Sequence, residues 1–177
     1  MIRLSDEILP ENTEMRKAFC DTLMELAGED KNVILMDGDL MGAMGTKPFA
    51  QEFPEQTIDC GIQEANAVGV AAGLSAVGKI PFVHSFGPFI TRRACDQVFM
   101  SGAYAKLNVK LVGSDPGITA QINGGTHMPF EDMGIMRGIP DCGADRHCYA
   151  EIGSAANERE LWNVLYAVGK EILYENL

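Results

Sequence analysis

Residues 57–84 read TIDCGIQEANAVGVAAGLSAVGKIPFVH, and this stretch decides the fold. Thr57-Ile58-Asp59-Cys60 is a short run with strand character. From Gln63 to Val77 the chain turns to Ala, Gly and Val at helical length, Gly78-Lys79 closes that helix, and Ile80-Pro81-Phe82-Val83-His84 is strand again. A helix of about a dozen residues between two strands is a crossover, which joins parallel strands in a right-handed sense. The expected fold class is therefore α/β, three layers (α/β/α) around a mostly parallel sheet.

Working outward, Val33-Ile34-Leu35-Met36 is a continuous apolar run ending at Asp37-Gly38-Asp39, as expected of a buried strand that opens into a loop. A helix is expected from Glu14 to about Ala27, capped by Thr13, with Met15, Ala18, Phe19, Leu23 and Leu26 on one face. Gly42-Ala43-Met44-Gly45 is followed by no helical pattern, and residues 40–56 read as a connection. Pro88 suits the first turn of a helix reaching Tyr104, and Val109 to Gly113 forms a fourth strand. A long Gly- and Pro-rich loop runs from Ser114 to Pro129, then a short helical piece from Glu131 to Arg137. The stretch 141–156 has no clear pattern, and an amphipathic helix is expected from Asn157 to about Tyr174. In parallel sheets ligands collect at the carboxyl ends of the strands. Asp37 to Asp39, Gln63-Glu64, His84 to Phe86 and Ser114-Asp115 all follow expected strands, so one rim gathers them.

Composition excludes several classes. The net charge is −11, with acidic residues scattered along the chain, which would repel nucleic acid and anionic membranes. The longest apolar stretch, Ala65 to Val77, is too short to cross a bilayer. Five cysteines form no CxxC pair and no signal peptide precedes them, as expected of the cytoplasm. No Walker A sequence and no GxGxxG opening a helix is present. Cys142, His147 and Cys148 match no common zinc spacing, and no metal ligand is assigned.

Several phrases carry a resemblance in combination: Met15-Arg16-Lys17, Asp37-Gly38-Asp39-Leu40, Gly61-Ile62-Gln63-Glu64-Ala65-Asn66, Phe86-Gly87-Pro88-Phe89 with Asp96-Gln97 behind it, and Gly124-Gly125-Thr126-His127-Met128-Pro129-Phe130-Glu131. In order and spacing, from about Thr13 to Pro140, they resemble the pyrimidine-binding domain of the transketolase family. Deoxyxylulose-phosphate synthase and the E1 β chains of 2-oxo acid dehydrogenases are more distant relatives.

The resemblance implies thiamine diphosphate as cofactor and assigns roles. Glu64 is the expected catalytic residue, its carboxyl meeting N1′ of the aminopyrimidine to promote the imino tautomer, with a raised pKa suited to proton transfer. Read from the residues alone, Glu64 is a first-turn carboxylate that suits the helix dipole. Phe86 and Phe89 are expected to sandwich the flat ring. Arg92 stands where the family often has a third aromatic, making the pocket less apolar. Asp39 resembles the family aspartate beside the cofactor. His127 resembles the histidine that contacts sugar hydroxyls, and Arg16 aligns with the arginine that binds the sugar phosphate. Asn123 joins that substrate site where the family has aspartate, and Ala43 stands in place of a serine.

The resemblance also implies a missing half. This enzyme class holds the diphosphate through Mg²⁺ or Ca²⁺ with a Gly-Asp-Gly sequence followed at a distance by Asn, and no such signature occurs in this chain. A separate amino-terminal transketolase subunit is therefore expected to bring the diphosphate and the metal, as in split transketolases. Residues 1–12 are expected to be an extension and 13–177 the pyrimidine-binding domain, without the third, carboxyl-terminal domain. Two such domains are expected to pair as a homodimer around the Ala- and Gly-rich helix. The expected activity is two-carbon ketol transfer between sugar phosphates. The alternatives are a deoxyxylulose-phosphate synthase-like or 2-oxo acid enzyme component, and a non-catalytic dimerisation fragment.

Overall fold

The computed structural model describes residues 14–140, 142–143 and 163–168. Six strands form one sheet in the order β2-β1-β3-β4-β6-β5: β1 (Val33–Asp37), β2 (Thr57–Asp59), β3 (Ile80–Phe86), β4 (Val109–Ser114), β5 (Cys142–Gly143) and β6 (Asn163–Val168). The first four run parallel, while β6 pairs antiparallel with β4 and β5 antiparallel with β6. The mostly parallel three-layer expectation holds.

Alternating side chains divide the core. Met36, Val83 and Leu111 lie on one face of the sheet under α4 (Glu64–Ala76), and Leu35, Phe82 and Val112 on the other under α1 (Met15–Glu29) and α3 (Lys47–Glu52). In α4 the buried residues are Glu64, Ala67, Val68, Ala71 and Ala72, a single stripe at helical spacing. A carboxylate thus opens a core stripe of small residues, and the stripe's rotation sends it to the sheet.

Two expectations are corrected, and a third, the Thr13 cap, falls outside the described residues. The connection 40–56 contains two short helices, α2 (Met41–Met44), ended by Gly45 at φ +78°, and α3. The residue flanking the start of α1 is Glu14, whose side chain makes no capping bond; Thr13 lies outside the described residues. Asn163–Val168 is strand β6 where a helix from Asn157 to Tyr174 was expected, the remainder of that segment lying outside the described residues. Val164, Tyr166 and Val168 are good strand formers, and the free edge of β4 offers backbone groups that need partners.

After β3 the chain is helical, but as wide π-type turns over Phe89–Arg93 and Val98–Tyr104 with α5 (Cys95–Gln97) between them. Such turns are frequent at functional sites. The Thr91 hydroxyl donates to the Gly87 carbonyl at 2.6 Å, which competes with the backbone ladder. Gly87 is required by close approach: a Cβ there would lie 2.9 Å from Pro129 Cγ and 3.3 Å from the Ser114 carbonyl. This contact draws the 114–129 loop over the end of β3, ahead of α6 (Asp132–Arg137).

Candidate active site

Glu64 is 3% exposed although it carries a carboxyl group. Oε1 accepts a hydrogen bond from the Ser85 hydroxyl at 2.8 Å, and Oε2 accepts one from Arg93 Nη1 at 2.8 Å. Burial pushes this carboxyl up, yet the bonds from Arg93, its own backbone N–H and Ser85 outweigh that push, so it is held below the ordinary glutamate value. The guanidinium thus keeps Glu64 an anion; the raised pKa is the expectation for a carboxyl sharing a proton with the ring. Arg93→Met removes that counterion while burial remains, so the Glu64 pKa is expected to rise from its lowered value. A ¹³C-detected carboxyl titration reads this directly. The sign for stability follows. In the wild type the contribution is present above the unfolded-state pKa and lost as acid carries the pH through the lower folded value. In the variant the folded value moves up toward the unfolded one, so this acid-sensitive contribution shrinks.

Arg93 also lies over the Phe89 ring, its Cζ 3.9 Å from the centroid. Phe86 and Phe89 are 6.1 Å apart and nearly perpendicular at 87°. His127 stands 4.9 Å from each, at 81° and 72°. The two phenyl rings form an edge-to-face cluster with the imidazole as third member. His127 thus packs on the rings, and its Nδ1 lies 2.8 Å from the Thr126 hydroxyl. Arg92 turns away and pairs with Glu131 at the surface, so the cation at the rings is its neighbour.

A cleft of about 180 Å³ leads away from Phe86, lined by Arg16, Ala43, Met44, Ser114, Asp115 and Asn123. Arg16 and Asn123, far apart in sequence, both line it. Arg16 reaches the Ala43 carbonyl at 3.2 Å and the Glu14 carboxylate at 2.6 Å. Asp39 does not join the cleft lining. It sits exposed after β1 at φ +63°, its N–H donating to Asp59 Oδ1 at 3.1 Å, and the same oxygen accepts from Gly61 N–H at 2.8 Å.

Sequence reading passed over Arg93, Ser85 and Asp59. A buried acid in the core stripe of α4 is a signal that a cation must lie nearby, and Arg92-Arg93 in an apolar stretch supplies one. Beneath the rim, His84 Nδ1 lies 2.9 Å from Asp37 Oδ2, both side chains wholly buried. Among the described residues no group of three or more His, Cys, Asp or Glu is placed to hold a metal; His147 and Cys148 lie outside them.

Residues 11–169 match the family profile described as "Transketolase, pyrimidine binding domain". The chain belongs to this family. A pyrimidine-binding domain is similar in sequence to the "6-deoxy-6-sulfo-D-fructose transketolase subunit SqwH" of Clostridium sp. (strain MSTE9), with 56% identity over 76% of this chain and 42% of that protein. It is 44% identical to the "Putative transketolase C-terminal section" of Methanocaldococcus jannaschii, over 72% of this chain and 40% of that one. Among solved structures it resembles "Split gene transketolase, inactive beta4 tetramer", at 40% identity and TM-score 0.62, covering 72% of this chain and 40% of that one. The pyrimidine-binding domain thus spans about two fifths of the length of these relatives.

Proposed function

We propose that this chain is the pyrimidine-binding component of a transketolase, transferring a two-carbon ketol unit once a second subunit supplies the diphosphate site. The observation that carries the proposal is the buried Glu64 carboxyl, set in the core stripe of α4 and joined through Arg93 to the cluster of Phe86, Phe89 and His127. A buried hydrogen-bonding carboxyl beside aromatic rings suits a flat aminopyrimidine, and Arg93, whose side chain is 47% exposed, has room to withdraw from both. Once it does, the upward push of burial on Glu64 remains, which suits a carboxyl that shares a proton with a ring nitrogen.

On this reading Glu64 holds the ring nitrogen's proton, Phe86 and Phe89 contact the ring, and Asp39 lies toward the cofactor. His127, Arg16 and Asn123 face the sugar. Thiamine diphosphate, when bound, supplies the carbanion chemistry that breaks and makes the carbon–carbon bond. The partner, an amino-terminal transketolase subunit, would hold the Mg²⁺ or Ca²⁺ together with the diphosphate. Relatives named as a subunit and as a carboxyl-terminal section support separately encoded halves. The split-gene tetramer, described as inactive, supports both self-association and dependence on a partner. We place the homodimer contact on the outer face of α4, where Gly69 and Gly73 leave open space. Cys20, Cys60, Cys95 and Cys142 are free thiols, in keeping with the cytoplasm, and no helix among the described residues is long and apolar enough to cross a membrane.

Co-expressed with the diphosphate-binding subunit, the chain is expected to move a ketol unit from a ketose to an aldose. Products from pyruvate instead would indicate a 2-oxo acid enzyme. Failure to bind cofactor with the partner present would indicate a non-catalytic fragment.

A further inference from the structure

We propose that Asp115 makes the cleft beside Phe86 selective for ketoses whose far end carries a single negative charge, a sulfonate, over those ending in phosphate. The proposal rests on the ketol-transfer reading and assigns the residue that sets the choice of substrate.

Among the described residues the charges lining the cleft are one guanidinium, from Arg16, and one carboxylate, from Asp115; Ser114 and Asn123 are neutral. A second carboxylate, Glu14, holds Arg16 from outside at 2.6 Å. A phosphate monoester carries about −1.5 to −2 charges at pH 7. One arginine already balanced by an acid cannot neutralise it, and an ionised carboxylate offers it no donor. A sulfonate carries one charge and has no second proton to lose. Its oxygens match the Arg16 fork and the Asn123 amide.

Asp115 is half-buried at the end of β4 and is held at φ +56°. Burial outweighs the opposing influence of Ser114, His84, Arg16 and His127, so its carboxyl lies above the ordinary aspartate value. Those couplings place it within electrostatic reach of both the cleft and the ring cluster, where water screens charge poorly. The relative that is 56% identical is named for a ketose ending in a sulfonate.

The test uses the two-subunit complex and three donors, 6-deoxy-6-sulfo-D-fructose, fructose 6-phosphate and D-fructose, compared by kcat/KM. The wild type is expected to prefer the sulfonate over the phosphate by about tenfold or more, the effect of one opposing charge at short range in a partly buried site. Asp115→Asn keeps the shape and tolerates the left-handed backbone, and should raise the phosphate-to-sulfonate ratio about tenfold. Arg16→Met should lower both anionic donors relative to D-fructose. A wild-type preference for phosphate, or a ratio that Asp115→Asn leaves unmoved while ketol transfer proceeds, overturns the proposal. No transfer from any of the three donors overturns the functional reading beneath it and the proposal together.

Discussion

Glu64→Gln is expected to lower ketol transfer by the two-subunit enzyme about a thousandfold, the middle of the range for losing a positioned acid–base group. Glutamine has nearly the same shape and can still accept from Ser85 or Arg93, so the helix start and the stripe of α4 stay in place. What it cannot do is take up and return a proton. The loss should fall on kcat with KM for the ketose little changed, because the cleft proposed to take the sugar is lined by other residues. Steady-state kinetics with a circular dichroism check on folding decide it. Activity within tenfold of wild type would remove Glu64 from catalysis.

Asp37→Ala is expected to cost about 3 kcal/mol or more of folding stability, because it strips a wholly buried histidine of its carboxylate. His84 Nε2 has no hydrogen-bond partner among the described residues, so Asp37 carries the polar burden of that ring. The other oxygen of Asp37 accepts the Leu40 N–H, which fixes the turn out of β1. Asp37→Asn retains one acceptor and should lose less. Urea denaturation, read as a shift in midpoint at constant slope, measures both variants. If Asp37→Ala shifts the midpoint no more than a surface substitution, the pair contributes little to the fold.

How much could be read from sequence depended on the length and purity of each pattern. The strands β1, β3 and β4 are each built around a short apolar run and are buried on both faces, and α4 is long and bounded by glycine, so their type was legible. Helices α2 and α3 have four and six residues, too few for a period to show. The run ending in Asn163–Val168 fits both periods: Leu161, Val164, Leu165 and Val168 follow helical spacing, while Val164, Tyr166 and Val168 alternate. Only the open edge of β4, a fact of tertiary structure, decides between them.

The site divides in the same way. Glu64 could be singled out because its phrase is distinctive and it is in phase with Ala67 and Ala71. Its protonation could not, since that depends on Arg93, 29 residues away, reaching back across the rim. The spacing of Phe86 and Phe89 indicated that they meet but left their mutual angle open, which His127 sets from a distant loop. The cleft is likewise non-local, built from the start of α1, from α2, and from the loop that Gly87 allows to close on β3.

The most direct test is calorimetric titration of thiamine diphosphate with Mg²⁺ into the chain alone and into its complex with the diphosphate-binding subunit. Binding should be weak alone and at least about a hundredfold tighter in the complex, since holding one end of the ligand raises the effective concentration of the other. Equal affinity in both, or no binding in either, would contradict the assignment of this chain as half of a shared cofactor site.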